Sequence, residues 1–386
     1  MKQRIKHVSN KISNSRRGFL QKLTFGLGAT SLAVPAATLL TSCSSDADPT
    51  PDVPGDRQVG IALVGLGQYS TEQLGPALLE TQYCRLAGVV TGTPSSGERF
   101  QKKYGFPEQN IYNYDNFDTI ANNEDIDVIY LVLPPVLHPE FAIRAFEAGK
   151  HVICEKPMAP SLAEAQQMLE ARDAAGRLMS IGYRLHFEPY HQEVMDLGRN
   201  EVYGPITKME NEFKLFVNDP ENWRARRELG GGSVWDMGIY TIQAAIYTIG
   251  EEPIAVTATE KEKEQPDIFT DVDEGMEFTL EFPNGAVAEC VSDFWDEEDR
   301  LYTETGEGWF ELENAYYYSG QRGETHNRVI HHTQVNQQAR QMDDFAQRVL
   351  NNDPNTPVPG EMGLRDVRII EAVYELAANG GDRVTL

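Results

Sequence analysis

Residues 59 to 183 alternate short apolar runs with amphipathic segments of helix length. The runs are almost continuously apolar, which is typical of strands buried on both faces of a parallel sheet. The pattern therefore predicts a doubly wound α/β domain at 58–184. The expected strands lie at 59–64, 86–90, 128–133, 151–154 and 178–181, and the expected helices at 73–81, 96–104, 139–148 and 163–175.

After about residue 185 the pattern changes to longer runs that alternate apolar and polar positions with period two. Turn pairs such as Asn284-Gly285 separate these runs, which predicts an α+β domain at 185–334 with a large, open, mostly antiparallel sheet. A helix is expected at 233–248. The tail at 335–386 has helical periodicity, and we expect it to pack back on the first domain. The expected strands of this half lie at 206–216, 255–260, 276–282, 286–294 and 309–313.

Length and charge narrow the classes of function. The 386 residues are enough for two domains with separate cores. Residues 1–42 hold seven basic residues and no acid, so the remainder carries 27 basic against 59 acidic side chains, a formal charge of −32. Nucleic-acid binding needs basic surface, so we expect no nucleic-acid partner.

Residues 1–42 are typical of an export signal. The arginines Arg16 and Arg17 precede a mildly apolar stretch at 23–40. A transmembrane anchor is the alternative, but the small residues of this stretch and Pro35 favour a twin-arginine signal. Leu40-Thr41-Ser42-Cys43 resembles a lipobox, so Cys43 is the expected lipidation site and 43–57 a flexible tether. The sequence thus predicts a periplasmic protein that Cys43, once lipidated, anchors to the membrane.

The other cysteines, Cys84, Cys154 and Cys290, have no paired spacing, and we expect neither a disulfide framework nor a cysteine metal site. The adjacent His331 and His332 lack the spacing of zinc ligands. The sequence therefore predicts no metal.

A glycine-rich turn follows the first expected strand. Gly65 permits a tight turn and Gly67 permits close approach of backbone to a pyrophosphate, so the phosphates of a dinucleotide can lie at the start of the next helix. Ser70 replaces the usual third glycine. The fingerprint is weak alone, but its position after a strand favours a Rossmann-type site. The expected cofactor contacts in this turn are Gly65, Leu66, Gly67, Gln68, Tyr69 and Ser70.

The tip of the second strand bears on the choice of cofactor. An acid there would bind the ribose hydroxyls of NAD, but 90–94 contains none. Thr91 and Ser96 can bind a phosphate and Arg99 can supply charge, so the sequence favours NADP over NAD. The alternative is that Arg99 is only part of a solvated helix face.

Two further turns lie at the same expected sheet edge. Leu133 ends the third expected strand, and Pro134 and Pro135 shape the loop expected beside the nicotinamide ribose, with His138 at the start of the next helix. The expected cofactor contacts at this edge are Leu133, Pro134, His138, Glu155 and Lys156. Glu155 and Lys156 follow the fourth strand, where the lysine can donate to a sugar hydroxyl. Most lysines are solvated surface charges, so Glu155-Lys156-Pro157 alone does not identify a catalytic lysine.

Four motifs in this order resemble the glucose–fructose oxidoreductase branch of the Gfo/Idh/MocA dehydrogenases. They are Gly65-x-Gly67-x-x-Ser70, Glu155-Lys156-Pro157, the block at 182–189 and Gly230-Gly231-Gly232-Ser233-x-x-Asp236-x-Gly238-x-Tyr240, and the resemblance covers the chain from residue 59 to its end. It implies an N-terminal Rossmann domain, a C-terminal domain whose sheet supports a homodimer or homotetramer, and hydride exchange between a nicotinamide cofactor and a sugar.

The resemblance also implies roles. Lys156 would assist proton transfer and orient the sugar, Asp236 would bind sugar hydroxyls, and Tyr240 would exchange the proton. Much of the wider family has histidine at the position of Tyr240, and a phenol, with an ordinary pKa near 10, needs a nearby cation such as Lys156 to act as a base. Asp236 and Tyr240 are four residues apart in the expected helix and so share a face. The secondary candidates are Arg184 for the cofactor, and His186, Trp223 and Arg224 for the substrate.

Three functions remain open on the sequence. The first is an exported NADP-dependent sugar oxidoreductase that keeps its cofactor bound, since little free cofactor exists beyond the cytoplasm. The second is a redox-neutral glycosidase that oxidises, eliminates and returns the hydride. The third is a non-catalytic sugar-binding lipoprotein, against which the presence of Lys156, Asp236 and Tyr240 argues.

Overall fold

The computed structural model describes residues 57–380 and 383–386. The expected export signal, the lipidation site Cys43 and nearly all of the tether lie outside the described residues. Within these residues the chain forms two sheets with helices packed on them. The expected fold class, a Rossmann domain followed by an α+β domain, is confirmed.

The first sheet contains six parallel strands in the described chain, in the order β3-β2-β1-β4-β5-β6. The order reverses direction between β1 and β4, which creates the crevice where open α/β sheets bind ligands. All five expected strands are present, and the two-residue β3 was too short to give a pattern. The strands are β1 (Val59–Val64), β2 (Cys84–Val90), β3 (Ile111–Tyr112), β4 (Val128–Leu131), β5 (His151–Cys154) and β6 (Met179–Ile181).

Both faces of this sheet are buried, as its apolar strands require. Along β1, Ala62 and Val64 belong to one apolar cluster, while Ile61 and Leu63 belong to another on the opposite face. The main helices of the described chain are α1 (Pro94–Tyr104), α2 (His138–Glu147), α3 (Leu162–Ala175), α4 (Pro189–Arg199), α5 (Ile239–Ile249), α6 (Gln337–Asn351) and α7 (Gly360–Ala378).

The helix expected at 73–81 is replaced by a shorter, irregular element. The chain after the glycine turn forms a π-helical segment, Ser70–Leu74, followed by one α-helical turn, Gly75–Ala77. Pro76 has no N–H to donate to a carbonyl one turn back, so a regular α-helix cannot run through this position.

The second sheet contains nine strands in the described chain, in the order β14-β13-β12-β11-β7-β10-β9-β8-β15. The pair β7 and β10 is parallel, and the other neighbouring pairs are antiparallel. The strands are β7 (Ile206–Lys214), β8 (Ala255–Glu260), β9 (Gly275–Glu281), β10 (Val287–Asp293), β11 (Glu298–Thr305), β12 (Gly308–Glu313), β13 (Arg322–Thr325), β14 (Arg328–Ile330) and β15 (Val384–Thr385).

One face of the second sheet is buried and the other is polar. Met209, Asn211 and Phe213 of β7 are buried beneath α5, whereas Lys208 alternates with them and pairs with Glu289 of β10 at 2.9 Å. Alternation of this kind is typical of a sheet covered on a single face. Helix α5 therefore lies between the large sheet and the rest of the molecule, which places its first turn near the domain junction.

The tail contacts both halves. Met342 and Phe345 of α6 belong to the apolar cluster that contains Ile61 and Leu63 of β1. Helix α7 contacts α3 of the first domain and β8 of the second. Among the helices described here, none combines the length and the apolar character needed to cross a bilayer.

Candidate active site

The glycine turn has the shape that a dinucleotide requires. Gly65 has φ +94°, and a Cβ built on it would lie 2.3 Å from the carbonyl oxygen of Val132, so only glycine fits there. A Cβ on Gly67 would meet no atom of the described chain within 4 Å. Leu66 is partly exposed, and Gly67 and Gln68 are exposed. The turn is therefore closed on the protein side by Val132 and open on the other side.

Ser70 does not point into that open space. Its side chain is fully buried, and its hydroxyl donates to the carbonyl oxygen of Gly65 at 2.6 Å. The hydroxyl of Ser70 therefore stabilises the conformation of the turn, and a cofactor contact of this residue stays a prediction.

The tip of β2 carries the expected polar groups. Thr91 is buried and its hydroxyl accepts from the backbone N–H of Thr93 at 3.1 Å. Arg99 is exposed, and its Nη2 donates to the hydroxyl of Ser96 at 2.9 Å. The guanidinium of Arg99 and the hydroxyl of Ser96 thus form one accessible cationic and polar group at the start of α1.

His138 is a linker between two loops. Its Nδ1 lies 3.0 Å from the carbonyl oxygen of Pro157 and its Nε2 lies 2.8 Å from that of Leu133. Burial lowers the pKa of His138 to about 4, although the carbonyl oxygens of Pro157 and Leu133 act in the opposite direction. Both ring nitrogens face protein carbonyls in a fully buried position. We therefore replace the expected cofactor contact of His138 with a positioning role, while the neighbouring Pro134 remains partly exposed at the sheet edge.

Glu155 is held at the end of β5. The hydroxyl of Tyr130 donates to its Oε1 at 2.8 Å. A Cβ on Gly182 would lie 2.7 Å from the same oxygen, so the glycine leaves room for the carboxylate. Burial raises the pKa of Glu155 to about 6, although Tyr130 and Lys156 act in the opposite direction. The acid is therefore fixed in place next to Lys156.

Lys156, Asp236 and Arg224 form one ionic group. The Nζ of Lys156 donates to Asp236 Oδ1 at 2.7 Å and to the backbone oxygen of Asp236 at 2.9 Å. The Nε of Arg224 donates to Asp236 Oδ2 at 2.5 Å. Burial acts to raise the pKa of Asp236, but Arg224 and Lys156 lower it to about 2. Each carboxylate oxygen of Asp236 thus already binds a cation, and the position of Lys156 is determined by Asp236.

Tyr240 lies between two cations. The Nζ of Lys156 is 4.5 Å from the centroid of the phenol ring, and the Nη2 of Arg184 donates to its hydroxyl at 3.5 Å. We expected Lys156 to be the cation at the phenol, but the hydrogen bond comes from Arg184. Both charges interact favourably with negative charge that develops on the phenol oxygen during proton transfer.

The segment that carries Asp236 is not regular α-helix. Residues Val234–Gly238 form a π-helical turn before α5. The space beside the preceding glycines is filled by protein: a Cβ on Gly231 would lie 2.4 Å from the backbone oxygen of Arg224. A Cβ on Gly230 would lie 3.2 Å from Pro135 of the first domain. The glycines therefore allow the turn at Arg224 and Pro135 of the first domain to pack closely against this segment.

The secondary candidates separate into two groups. Arg184 is buried in the site, whereas His186 binds the side-chain oxygen of Gln243 through Nε2 at 3.1 Å and packs on Tyr247. Burial lowers the pKa of His186 to about 4. Trp223 is partly exposed, and the guanidinium of Arg224 lies 4.9 Å from its ring centroid. The structure thus joins Arg184, Arg224 and Trp223 to the site, and it places His186 with Lys156, Arg184 and Tyr240 in the lining of one small cavity.

Sequence reasoning missed the loop at 314–321, between β12 and β13. The guanidinium of Arg184 donates to the backbone oxygens of Tyr316 and Tyr317, and lies 4.5 Å from the ring centroid of Tyr318. Gln337 of α6 also accepts a hydrogen bond from Arg184. Three consecutive tyrosines after an expected strand were the available signal.

Among the described residues, no three His, Cys, Asp or Glu side chains converge in a metal-binding arrangement. A doubly wound domain with an open glycine turn, joined at its carboxyl edge to a lysine, a carboxylate and a tyrosine, defines a nucleotide-dependent oxidoreductase. The chain belongs to the Gfo/Idh/MocA family: residues 59–183 match its NAD-binding Rossmann domain and residues 191–312 its C-terminal domain. The expected family is confirmed.

Individual relatives agree with this assignment. D-xylose 1-dehydrogenase (NADP(+)) from Haloarcula marismortui is 30% identical over 332 residues, 83% of this chain and 91% of that protein. The structure of aldose-aldose oxidoreductase from Caulobacter crescentus, complexed with glycerol, is 38% identical, with TM-score 0.83 over 86% of this chain and 100% of that chain. A 3-ketoreductase from Actinomadura kijaniata in complex with NADP, 21% identical, shares the fold with TM-score 0.70 over 83% of this chain and 97% of that chain.

Proposed function

We propose that this oxidoreductase is NADP-dependent and transfers hydride between its cofactor and a sugar. The observation that carries the proposal is the convergence of Lys156, Asp236 and Tyr240, which come from both domains, beside the carboxyl edge of the Rossmann sheet. The relatives named above that act on xylose and on aldoses support a sugar as substrate.

The described residues fit NADP. The open space in front of Gly67 admits a diphosphate against the backbone of the turn, and Arg99 with Ser96 provides a charged and polar site for a 2′-phosphate. No acid stands at 90–94 to repel that phosphate. NADP, when bound, accepts or returns the hydride. The xylose dehydrogenase relative names NADP as its cofactor, which supports this preference.

Side chains of the protein transfer the proton and bind the sugar. The phenolate oxygen of Tyr240 takes the proton of a sugar hydroxyl as the carbon is oxidised, and the phenol formed in this way returns the proton in the reverse direction. Arg184 and Lys156 stabilise the charge on the phenol oxygen during this step. Asp236 keeps Lys156 ionised and oriented, so that its remaining N–H can donate to the same sugar oxygen. Burial of the group keeps these interactions strong.

We propose further that the protein is exported with its cofactor already bound. The support is the leader at 1–42 with its twin arginines, since export of folded protein carries bound nucleotide along. Lipidation at Cys43 and a homodimer or homotetramer stay predictions. Exchange of hydride between two sugars would let a retained cofactor be reused.

The test begins with the full-length protein purified without added nucleotide. Mass spectrometry of the nucleotide released on denaturation should detect NADP or NADPH. The near-ultraviolet absorbance of the bound cofactor should then change on mixing with an aldose and revert with a second sugar. Absence of nucleotide, together with no affinity for added NADP or NAD, contradicts the proposal. Aglycone release from a glycoside without any acceptor would instead indicate the redox-neutral glycosidase.

A further inference from the structure

Tyr318 reaches from the second domain to the glycine turn of the first. Its ring stacks on that of Tyr69, with centroids 5.9 Å apart and an interplanar angle of 30°. Tyr69 lies two residues after Gly67, where the turn is open, so the pair links the second domain to the glycine turn. Tyr318 is nevertheless 42% exposed, which means that only one side of the pair is covered by protein.

The loop that carries Tyr318 is fixed from several directions. The backbone N–H of Tyr316 donates to Asp299 Oδ1 at 2.7 Å. The side chain of Gln321 donates to the backbone oxygen of Tyr317 at 2.6 Å, and that of Gln337 donates to the backbone oxygen of Tyr318 at 3.2 Å. Arg184 donates to two carbonyl oxygens of the same loop. The backbone of this loop is therefore held by hydrogen bonds, whereas the ring of Tyr318 is held by its contacts with Tyr69 and Arg184.

Arg184 connects this contact to the catalytic phenol. Its guanidinium carbon lies 4.5 Å from the ring centroid of Tyr318 and 5.3 Å from that of Tyr240. The cation thus lies within cation–π distance of two aromatic rings, which stabilises it away from water. Displacement of Tyr318 therefore exposes the same cation that hydrogen-bonds Tyr240.

We propose that Tyr318 and Tyr69 form an aromatic gate that retains the dinucleotide and must part before the cofactor leaves. This inference rests on the proposed function, because it assigns a means of retention to the same site. A gap of 5.9 Å between ring centroids is too narrow for a nicotinamide ring with van der Waals contact on both faces, so the rings close over the cofactor and do not sandwich it. Tyr318 and Tyr69 are therefore positioning residues.

The test measures the rate constant of NADPH release from the purified holoenzyme, by the fluorescence change when excess NADP displaces it. Tyr318→Ala and Tyr69→Ala should each raise this rate constant about tenfold, the size expected for loss of one aromatic pair. Tyr318→Phe keeps the stacked ring and should release NADPH at the wild-type rate. Tyr317→Ala is the matched control, because Tyr317 is 38% exposed and its ring contacts Phe213 but not Tyr69.

A double-mutant cycle makes the assignment specific. If the two rings act as one gate, the double alanine variant should release NADPH no faster than either single variant. Additive effects overturn the gate, as does a Tyr318→Ala variant that binds NADPH faster but releases it at the wild-type rate. Wild-type protein that binds no NADPH would reject the proposed function itself, whereas tight binding with unchanged release from Tyr318→Ala rejects the gate alone. Circular dichroism melts of each variant check that it is folded.

Discussion

The Nη2 of Arg184 lies 3.5 Å from the hydroxyl oxygen of Tyr240 and joins the end of β6 in the first domain to α5 in the second. Lys156 faces the ring of the same tyrosine and is itself held by Asp236. The catalytic phenol is therefore bound to the first domain by two cations, so the chemistry depends on how the domains meet.

Tyr240→Phe should remove the proton transfer and leave the nucleotide site unchanged. Proton transfer by a positioned side chain contributes about 10²–10⁴-fold, and we expect the single-turnover rate constant with an aldose to fall by that factor. The measurement is the absorbance change of bound cofactor on rapid mixing, with NADPH affinity as the control. A variant that retains wild-type turnover would remove Tyr240 from the mechanism.

Alanine should affect different properties at the two glycines of the turn, NADPH affinity at Gly67 and stability at Gly65. Gly67→Ala places a methyl group in open space, so the protein should keep its stability but bind NADPH at least about tenfold more weakly. Gly65→Ala forces a Cβ against Val132 at φ +94° and should lower the free energy of unfolding by about 1–3 kcal/mol. Urea unfolding and NADPH titration of both variants check this. Equal NADPH affinity of Gly67→Ala and wild type would contradict the assigned diphosphate site.

Arg99→Ala should change the choice of cofactor. Loss of one accessible charge-assisted contact is expected to weaken NADP binding about tenfold and leave NAD binding unchanged. Lys103→Ala serves as control, since Lys103 is exposed on the same helix and was not expected to bind the 2′-phosphate. Titration of apoprotein with both nucleotides measures the ratio. A parallel loss of NAD and NADP affinity would place Arg99 elsewhere than at the 2′-phosphate.

Glu155 should make the stability of the apoprotein depend on pH. Burial raises its pKa from 4.5 to about 6 in the folded protein, so the folded state favours the protonated acid. The stability that the protonated acid adds to the folded state is fully present below pH 4.5 and is lost as the pH rises through about 6. When the pH is raised from 4 to 7.5, the free energy of unfolding of Glu155→Gln should therefore increase by about 2 kcal/mol relative to that of the wild type. Urea unfolding at both pH values measures the difference, and a pH-independent difference would show that the acid is not perturbed.

The sequence was sufficient for the first sheet because its strands are continuously apolar. It was less informative for the second sheet, where β11 reads Glu-Asp-Arg-Leu-Tyr-Thr-Glu-Thr and buries little besides Leu301 and Thr303. Strand pairing with β7 and β12, and not hydrophobicity, holds such a segment in place. The helix α4 and the strands β13, β14 and β15 were also missed, the strands because they are short.

The site was partly predictable, because some of its residues lie in local motifs and others meet only in the folded chain. Lys156, Asp236 and Tyr240 lie in motifs, and the structure brings them together. The contacts of Arg184 with Tyr316 and Gln337 join residues more than 130 positions apart, which no local spacing reveals. His138 and Ser70 were placed correctly at the sheet edge, but only coordinates show that their polar atoms bind protein carbonyls.

Gln337 opens α6, which follows both family domains along the chain, and its amide oxygen binds the guanidinium next to Tyr240. A nascent chain that has emerged as far as residue 334 holds the sequence of both family domains but still lacks this amide. The pocket is therefore completed by a segment that lies beyond both family domains, and a product terminated at residue 334 would leave the guanidinium of Arg184 without this partner.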